Sequence, residues 1–382
     1  MEQWWRDAAG SAAECSQPQL GELYGLGPLA GRGKIGSLTG EELTFDYRDG
    51  ACRAYPSSTL PIYKFLFRGK ELSMNILVTG GAGFIGSHIV DRLIADEHHV
   101  TVLDLWESEE VKSLATHSNY RFIEGSVLSD DLLSDLVATM DRVVHLAAIL
   151  GTSETITTYD VEEVALVNVI GTVKLLKQCR EHGVGRVVIP TTPDVTWLNP
   201  YKITKAAIEK FAELFSTNYG VEAVCLKLGN IYGSRERWLD GPKEAPYNYQ
   251  KIIPTIFMET LKGNPIEIYG NGEQRSEYIY VGDVAESFAR AIVSNKDLGG
   301  LVIPIGANRG SSVNEIIDVV EEVWSRPVER KFVPMRPGEH HVDISLDPAL
   351  LKTHLDYELQ WGLEAGLQET IGYYEEAYAR LY

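Results

Sequence analysis

The sequence contains little cysteine, has no excess of basic charge and has no long apolar run. Its four cysteines, Cys15, Cys52, Cys179 and Cys225, lie far apart, a spacing typical of neither a disulfide framework nor a metal site. No apolar run reaches the roughly 18 residues of a membrane-spanning helix. The acidic start "MEQWWRDAAG" also lacks the basic and apolar segments of a secretory signal. We therefore expect a cytoplasmic protein that binds no metal and no membrane.

The charge balance argues against a nucleic-acid partner. Acidic residues outnumber basic residues by 54 to 35, and the formal net charge is −19, whereas proteins bind phosphate backbones through basic surfaces. Hydrophobic residues make up 44% of the chain and charged residues 23%, as in ordinary globular proteins. With 382 residues, the chain has room for two domains, or for one large domain with an appendage.

Residues 1–73 differ in composition from the rest of the chain. The stretch "SQPQLGELYGLGPLAGRGKIGSLTG" is rich in glycine and has no helical period. The stretch "EELTFDYRDGACRAY" reads as two strands around an Asp-Gly turn, which predicts a β-hairpin. We expect a small β-containing N-terminal extension.

From Met74 onwards, predicted strands alternate with predicted helices. Buried strands are predicted at "NILVTG", "HVTVLDL", "RVVHLAAIL", "RVVIPTT" and "AVCLKLGNIYG". Helical periodicity runs through "FIGSHIVDRLIADEH", "DVEEVALVNVIGTVKLLKQCREHG" and "ITKAAIEKFAELFSTNYG". This alternation predicts a doubly wound parallel sheet, an α/β fold of the Rossmann type. The pattern loosens after Gly233, which predicts a smaller C-terminal α/β part.

A glycine-rich turn joins the first strand of this pattern to the first helix. The segment "TGGAGFIGSH" contains Gly80, Gly83 and Gly86. Glycines in this context allow a tight turn, close approach of a pyrophosphate and close packing of the helix on the sheet. The helix N-terminus adds free N–H groups and partial positive charge. The turn therefore predicts a dinucleotide site.

The end of the second strand indicates which dinucleotide binds. Asp104 ends this strand, where a carboxylate can accept hydrogen bonds from an adenosine ribose. Its charge would repel the 2′-phosphate of NADP, and the following Leu105 and Trp106 provide no arginine to bind that phosphate. We expect NAD as the cofactor; the alternative for Asp104 is an ordinary carboxylate at a strand end.

Several motifs together resemble the extended short-chain dehydrogenase/reductase family, which contains the NAD-dependent nucleotide-sugar epimerases and dehydratases. Besides the glycine turn they are "VVHLAA" (143–148), "NVIGT" (168–172), "NPYKITK" (199–205), "LGNIYG" (228–233), "IYGNGEQ" (268–274), "YIYVGDVA" (278–285) and "RPGE" (336–339). The resemblance spans roughly residues 74–382. It implies a nucleotide-sugar substrate, bound NAD and a homodimer built from helices 162–181 and 203–218.

The resemblance also implies a division of the chain and a set of binding residues. It implies an NAD-binding domain at 74–230 that also receives about 276–306, and a discontinuous substrate-binding domain at 231–382. The implied cofactor residues, besides Gly80, Gly83, Gly86 and Asp104, are Phe84, Ile85, Val127, Leu146, Ala147, Ala148, Tyr201 and Lys205. The implied substrate residues are Asn230, Gln274 and Arg336.

The segment "TTPDVTWLNPYKITK" contains the residues that match the catalytic group of this family. Tyr201 matches the base, Lys205 its partner and Thr192 the hydroxyl residue that binds the reacting sugar oxygen. An isolated tyrosine has a pKa near 10, and we expect Lys205, one helical turn away, to lower the pKa of Tyr201 together with the positive nicotinamide of NAD⁺. Tyr247 and Lys251 have the same spacing but lie in a loop-rich region, where we expect no catalytic role.

Two stretches depart from the family pattern around the predicted active site. Eight residues, "PDVTWLNP", separate Thr192 from Tyr201, where the family usually has a longer loop, so we expect a reshaped substrate pocket. The acid pair that follows the threonine in 4,6-dehydratases is replaced by Pro193 and Asp194, which argues against dehydration although Asp194 keeps it open.

Other departures concern the residues that bind phosphate and adenine. The usual diphosphate-binding arginine falls at Ser276, with Arg275 one place earlier. Because successive strand residues point to opposite faces, we expect Arg275 at the surface and diphosphate binding by Arg336 with Arg235 or Arg237. Ser126 replaces the usual adenine-contacting acid. Asn168 is expected near the active site as a polar anchor, and His340 and His341 as solvated loop residues.

The leading functional hypothesis is an NAD-dependent nucleotide-sugar epimerase that acts at a sugar carbon, most simply C4. A 4,6-dehydratase or a net oxidoreductase acting on an activated sugar is the enzymatic alternative. A non-catalytic NAD-binding regulator is the alternative of another class.

Overall fold

The computed structural model describes residues 73–151, 154–193, 198–238, 251–335 and 343–381, together with four short strands nearer the N-terminus. The chain divides into two compact units, Met1–Leu72 and Ser73–Tyr382. The named residues Asp194, Tyr247, Arg336, His340 and His341 lie outside the described residues.

The N-terminal unit contains a four-stranded antiparallel sheet. Its strands are β1 (Ala13–Cys15), β2 (Gly33–Gly36), β3 (Glu42–Arg48) and β4 (Ala51–Pro56), in the order β1-β4-β3-β2. Arg48 pairs with Ala51 across β3 and β4, which leaves a two-residue connection, the length of a tight hairpin turn. The predicted hairpin is confirmed.

The second unit contains most of the secondary structure. Its strands are β5 (Asn75–Thr79), β6 (His99–Asp104), β7 (Tyr120–Glu124), β8 (Arg142–His145), β9 (Arg186–Thr191), β10 (Ala223–Leu228), β11 (Asn230–Tyr232), β12 (Ile266–Tyr269), β13 (Arg275–Ser276), β14 (Tyr278–Tyr280), β15 (Val302–Ile305), β16 (Ser311–Ser312) and β17 (Arg330–Val333). Its α-helices are α1 (Phe84–Ala95), α2 (Glu109–Lys112), α3 (Asp130–Val137), α4 (Glu154–Thr157), α5 (Val161–Ala165), α6 (Gly171–His182), α7 (Pro200–Tyr219), α8 (Ile252–Lys262), α9 (Val281–Val293), α10 (Val313–Trp324), α11 (Ala349–Leu355) and α12 (Leu363–Leu381). A π-helical turn, Leu166–Ile170, joins α5 to α6.

Seven of these strands form one parallel sheet in the order β15-β10-β9-β8-β5-β6-β7. The predicted doubly wound sheet is therefore confirmed. The strand order reverses direction between β5 and β8, and in open α/β sheets ligands bind at the carboxyl ends of the strands on either side of such a reversal. The glycine turn directly follows β5, so it lies at this point.

Both faces of the parallel sheet are covered by helices. Ile76 and Val78 of β5 belong to the core on the side of α1 and α9, whereas the intervening Leu77 belongs to the core on the side of α3, α6 and α7. Because successive side chains of a strand point to opposite faces, a strand buried on both faces must be apolar throughout. Burial on both faces explains the β-branched runs from which the strands are predicted.

A third apolar core forms after residue 231. It contains residues of α8, β12, α10 and α12, among them Phe257, Ile268, Ile317 and Tyr374. The rings of Phe257 and Tyr374 stack with centroids 5.2 Å apart. The smaller C-terminal α/β part predicted from the looser pattern has a core of its own; the exact domain boundaries stay a prediction.

Two buried carboxylates bind the backbone of C-terminal segments. Glu277, which is 1% exposed, accepts hydrogen bonds from the backbone N–H groups of Ala307 and Leu346. Asp283, fully buried at the start of α9, accepts from the hydroxyl of Tyr357 at 2.5 Å and the N–H of Trp361 at 3.0 Å. Each carboxylate therefore replaces lost water with protein donors, which buried charge requires.

None of the described helices is both long enough and apolar enough to span a membrane.

Candidate active site

The glycine turn after β5 is shaped by close backbone contacts. Gly80 has φ +71°, and a Cβ there would lie 2.6 Å from the nitrogen of Ala147, so both conformation and space favour glycine. A Cβ on Gly86 would collide with the carbonyl oxygen of Gly80. A Cβ on Gly83 would meet only that same oxygen at 3.3 Å among the described atoms. Gly80 and Gly86 thus allow the turn and the close packing, and Gly83 leaves the approach to the turn open.

The first turn of α1 is suited to an anion. Gly83 is its N-cap, with extended backbone, and within the described chain no side chain caps the helix and no acidic residue lies in its first turn. Phe84 and Ile85 begin the helix and are half-buried. Free N–H groups at a helix N-terminus bind phosphate groups well. A pyrophosphate therefore fits here.

Asp104 connects the end of β6 to the glycine turn. Its carboxylate oxygens accept hydrogen bonds from the backbone N–H of Ala82 at 3.0 Å and of Leu105 at 2.8 Å. Burial raises the pKa of this carboxyl, while the two donors act in the opposite direction. Each carboxylate oxygen has a further lone pair, so Asp104 can still accept from a ribose hydroxyl. Leu105 and Trp106 are exposed.

The remaining predicted cofactor residues lie at the ends of neighbouring strands. The N–H groups of Leu146 and Ala147 donate to the carbonyl oxygen of Thr79 at 2.9 and 3.1 Å, which holds the segment after β8 against the glycine turn. Leu146, Ala147 and Ala148 are half-buried. Val127, in the loop after β7, is buried.

Ser126 is a weaker acceptor than the acid that usually stands at this position, and it already has one local donor. Its hydroxyl oxygen accepts from the N–H of Leu128 at 3.2 Å, so it stabilises its own turn. The departure from the family pattern at this position is therefore structural as well as chemical.

The helix that carries Tyr201 and Lys205 begins with two local signals. Asn199 is its N-cap and accepts from the N–H of Lys202 at 2.9 Å, and Pro200 is the first helical residue. Both residue types favour a helix start. The cap fixes the backbone immediately before Tyr201.

Lys205 is buried beneath this first turn. It is 3% exposed, and its ammonium donates to the carbonyl oxygen of Pro190 at 2.9 Å. Burial lowers the pKa of Lys205 to about 8. Its Nζ lies 5.9 Å from the centroid of the Tyr201 ring, so the two predicted catalytic side chains are neighbours.

The electrostatic effect on Tyr201 differs from the expectation. Burial raises the pKa of the Tyr201 hydroxyl, whereas we expected Lys205 to lower it. The expectation was wrong for the protein groups by themselves, because the loss of water around the phenol raises its pKa. A base at neutral pH therefore depends on further positive charge at the phenol.

Thr192 lies directly after the last residue of β9 and is half-buried. The preceding strand contains Pro190, the acceptor of Lys205, and the following Pro193 accepts from the ammonium of Lys202 at 3.1 Å. Two lysines of α7 thus hold the backbone on both sides of Thr192. The alternative pair is Tyr247 and Lys251. Of these two, the structure describes Lys251, an exposed residue that precedes α8.

Two of the predicted substrate residues, Asn230 and Gln274, lie at or next to short strands after β10. Asn230, the first residue of β11, is exposed, and its amide donates to the hydroxyl of Ser276 in β13 at 3.0 Å. Gln274 is half-buried and donates to the carbonyl oxygen of Tyr269 at 3.2 Å.

Two of the three described arginines near this region are engaged by acids. Arg275 forms two hydrogen bonds with the carboxylate of Glu315, at 2.8 and 2.7 Å, and its side chain is 41% exposed. The predicted surface location of Arg275 is confirmed. Arg235 pairs with Asp91 at 2.7 Å, and Arg237 is exposed.

Sequence reasoning missed one buried acid in the C-terminal part and two buried polar groups near the site. Glu236 is 6% exposed, and burial raises the pKa of its carboxyl to about 8. It lies in "SRERW", which resembles a charged surface stretch, so no pattern indicated that it is buried. His145 and Thr172 are 2% and 1% exposed; their signal is a polar residue within an apolar run.

Comparisons with known proteins agree with this geometry. The model of the NAD dependent epimerase/dehydratase family matches residues 76–306. The chain belongs to this family. It is an NAD-dependent enzyme, as the glycine turn and Asp104 predicted.

Members of the family resemble the chain over most of its length. The UDP-glucose 4-epimerase of Mycolicibacterium smegmatis is 29% identical over 321 residues, which cover 79% of this chain and 98% of the relative. The crystal structure of UDP-glucose 4-epimerase from Thermotoga maritima with UDP-glucose is 30% identical, has a TM-score of 0.69 and covers 80% of this chain and 99% of that chain. UDP-glucuronic acid 4-epimerase from Bacillus cereus, in complex with UDP-glucuronic acid and NAD, is 26% identical, with a TM-score of 0.70 and coverage of 80% and 100%.

Proposed function

We propose that the protein is an NAD-dependent nucleotide-sugar 4-epimerase with Tyr201 as its base. The observation that carries this proposal is the bond from Lys205 to Pro190 O, 2.9 Å long. It joins the helix bearing Tyr201 to the strand end bearing Thr192. The three residue types that the chemistry needs are therefore held at one place, at the carboxyl end of the parallel sheet.

Each of the three side chains has a distinct role in this proposal. Thr192 donates a hydrogen bond to the reacting sugar oxygen, and Tyr201 removes the proton from the sugar hydroxyl. Lys205 stays charged at neutral pH because its pKa of about 8 lies above that range. It therefore favours the phenolate. Bound NAD⁺ supplies the hydride acceptor and a positive ring that favours the phenolate further.

The cofactor is proposed to lie across the glycine turn. The open side of Gly83 and the uncapped start of α1 suit the pyrophosphate, and Asp104 suits the adenosine ribose. Val127 and residues 146–148 line the pocket in this proposal. Phe84 and Ile85 follow the glycine turn and complete the NAD pocket.

The nucleotide sugar is proposed to be a UDP-sugar bound by the C-terminal part. Solved relatives hold UDP-glucose and UDP-glucuronic acid, and Asn230 is exposed beside Ser276. Gln274 and Arg336 are the other proposed contacts. Because Arg275 is paired with Glu315, it is not proposed for the diphosphate.

Epimerisation is preferred over dehydration because of the residue after Thr192. Pro193 has no side-chain acid, and its carbonyl oxygen is engaged by Lys202 at 3.1 Å. Elimination of water from the sugar is helped by a general acid. Asp194, two residues after Thr192, is the acid that could serve this role, so a 4,6-dehydratase is the second candidate.

We also propose that the protein forms a homodimer. Exposed apolar side chains lie on the two helical segments expected to form the interface: Leu166 and Ile170 are 43% and 44% exposed, and Ile203 and Leu214 of α7 are 52% and 38% exposed. Such grouped apolar surface is typical of an interface. Light scattering should give twice the chain mass, and Ile203→Glu should reduce it to the chain mass.

A cytoplasmic location is proposed from the cysteines. Cys179 and Cys225 are buried free thiols, which suits a reducing compartment. Fractionation of the expressing cells would test this.

Incubation with a panel of UDP-sugars and dTDP-sugars tests the function. An isomeric product of unchanged mass supports the 4-epimerase. Loss of one water would indicate a dehydratase, and accumulation of free NADH a net oxidoreductase. Binding of NAD without turnover of any sugar nucleotide would support the non-catalytic regulator instead.

A further inference from the structure

A chain of buried hydrogen bonds runs from the strand before the glycine turn to the helix bundle behind the active site. The hydroxyl of Thr79 lies 2.7 Å from Nδ1 of His145, and Nε2 of His145 lies 2.9 Å from the hydroxyl of Thr172. Thr172 in turn donates to the carbonyl oxygen of Asn168 at 2.6 Å. All four residues are at most 2% exposed. Water therefore does not compete for these bonds.

The position of every proton in this chain follows from the partners. A carbonyl oxygen has no proton, so the single proton of Thr172 lies towards Asn168 O, and Thr172 must accept from His145 Nε2–H. Burial and the charge of Lys205 lower the pKa of His145 to about 3, so the ring carries one proton at neutral pH. Nδ1 is then an acceptor, and Thr79 donates to it. The ring is held as one tautomer, the Nε2–H form.

Asn168 connects this chain to the helix of Tyr201. Its side chain accepts from the N–H of Ile149 at 2.7 Å and donates to Ile149 O at 3.0 Å. It also donates to the hydroxyl of Thr204 at 3.1 Å, and Thr204 donates to the carbonyl oxygen of Tyr201 at 2.8 Å. Asn168 lies in the π-helical turn, a distortion that is frequent at functional sites.

The segment after β8 is therefore fixed at both ends. At its start, Leu146 and Ala147 donate to the carbonyl oxygen of Thr79. At its far end, Ile149 is held by Asn168. His145 joins these two attachments through Thr79 on one side and Thr172 on the other. Residues 146–148 are those proposed to line the NAD site, and Tyr201 lies at the far end of the same network.

We propose that His145 is a positioning residue of the NAD site. Held as the Nε2–H tautomer, it keeps the pocket wall at 146–149 in register with the helix of Tyr201, and so favours binding of the nicotinamide half of NAD. The adenosine half depends on Asp104 and the glycine turn instead. The inference rests on the NAD-dependence of the family, and its binding test needs no sugar substrate, so it stands or fails separately from the proposed reaction.

Thr172 allows the sharpest test, because the chain contains a matched control. Thr370, in α12, is also fully buried and also donates to the carbonyl four residues earlier, Gly366 O, at 2.6 Å. Thr172→Val removes the acceptor of His145, whereas Thr370→Val removes an equivalent helix bond in the C-terminal core. Both variants lose the same type of helix bond, and Thr172→Val should lose further stability because it also leaves His145 Nε2–H without its acceptor. The network is therefore reported by the difference between NAD and ADP-ribose binding within each variant.

Binding of NAD and of ADP-ribose would be measured by calorimetry on protein stripped of its cofactor. In Thr172→Val we expect the NAD dissociation constant to rise about tenfold, the effect of one buried polar group left unpaired. The ADP-ribose constant should change by less than about threefold. Thr172→Ser should restore NAD binding, and Thr370→Val should leave both constants unchanged. His145→Phe, which removes the ring nitrogens from the network, should reproduce the Thr172→Val pattern.

Two results would overturn the proposal. If Thr172→Val binds NAD as tightly as the wild type, the network has no role in the cofactor site. If NAD and ADP-ribose weaken equally in Thr172→Val, the network supports the fold in general and not the nicotinamide half.

Discussion

The ammonium of Lys205 lies 2.9 Å from the carbonyl oxygen of Pro190 and 5.9 Å from the centre of the Tyr201 ring. The lysine therefore has a structural partner as well as a catalytic neighbour. It holds the end of β9 against α7, two residues before Thr192. Its burial lowers its pKa to about 8, which means that keeping it charged at neutral pH opposes folding.

Lys205→Met should make the protein more stable and less active. The folded pKa of about 8 lies below the ordinary value of about 10.4, so the unfolded chain binds more protons between these values. The cost is present below pH 8 and disappears as the pH rises towards 10. At pH 7 the variant should gain about 2 kcal/mol in its free energy of unfolding and lose turnover. Urea unfolding at pH 7 and pH 9.5 checks this; a variant less stable than wild type at pH 7 would contradict it.

Tyr201→Phe should remove turnover and leave the cofactor bound. The variant lacks the hydroxyl that accepts the sugar proton, and loss of a positioned base lowers the rate by about a hundredfold to ten-thousandfold. The ring itself remains to pack beside Lys205. Turnover of the nucleotide sugar and the NAD content after gel filtration would be measured together. Near-normal turnover would reject Tyr201 as the base.

Gly80→Ala and Gly183→Ala form a matched pair. Both glycines have φ +71°, but a Cβ on Gly80 would lie 2.6 Å from Ala147 N, while a Cβ on Gly183 would meet no described atom within 4 Å. Both variants should lose about 1 kcal/mol from the left-handed backbone. Only Gly80→Ala should also displace the turn, lose further stability and lose NAD. Thermal unfolding and NAD titration check both; equal NAD affinity in the two variants would speak against a cofactor at this turn.

Glu236→Gln should change the pH dependence of stability. The folded pKa of about 8 lies above the ordinary value of about 4.3, so the folded chain binds more protons between these values. Stability from this group is fully present below about pH 4 and is lost as the pH rises through 8. Tyr278 and Tyr374 face the carboxyl, and Lys251 favours its charged form. Above pH 8 the glutamine variant should be more stable by at least about 2 kcal/mol.

Urea unfolding of both proteins between pH 5 and 9 tests the Glu236 prediction. Parallel pH profiles would show that Glu236 is charged throughout the range. The same series with Glu364→Gln, an exposed acid in the first turn of α12, gives the background of an ordinary carboxylate.

The parts of the fold that were predictable depend on local sequence. Each buried strand needs apolar side chains on both faces, so Ile76, Leu77 and Val78 are recognisable without knowledge of their partners. The glycine turn is recognisable for a similar reason, since contacts within the turn itself exclude a Cβ at Gly86.

The parts that were not predictable depend on distant partners. The direction of the Tyr201 pKa is set by how completely the fold removes water from the phenol, which spacing along a helix does not reveal. The sequence likewise shows only that Arg275 stands one residue away from the usual position of the arginine. It does not reveal that Arg275 pairs with Glu315. The sequence around Asn168 has an ordinary helical period, so it does not indicate the π-helical turn at this residue.

The paired anchors at Glu277 and Asp283 limit how this protein can be recombined with its relatives. Transplanting a C-terminal substrate region alone would make Glu277 and Asp283 depend on backbone N–H groups that another parent places at positions 307, 346 and 361. A chimaera intended to change sugar preference must therefore inherit residues 277–361 from a single parent.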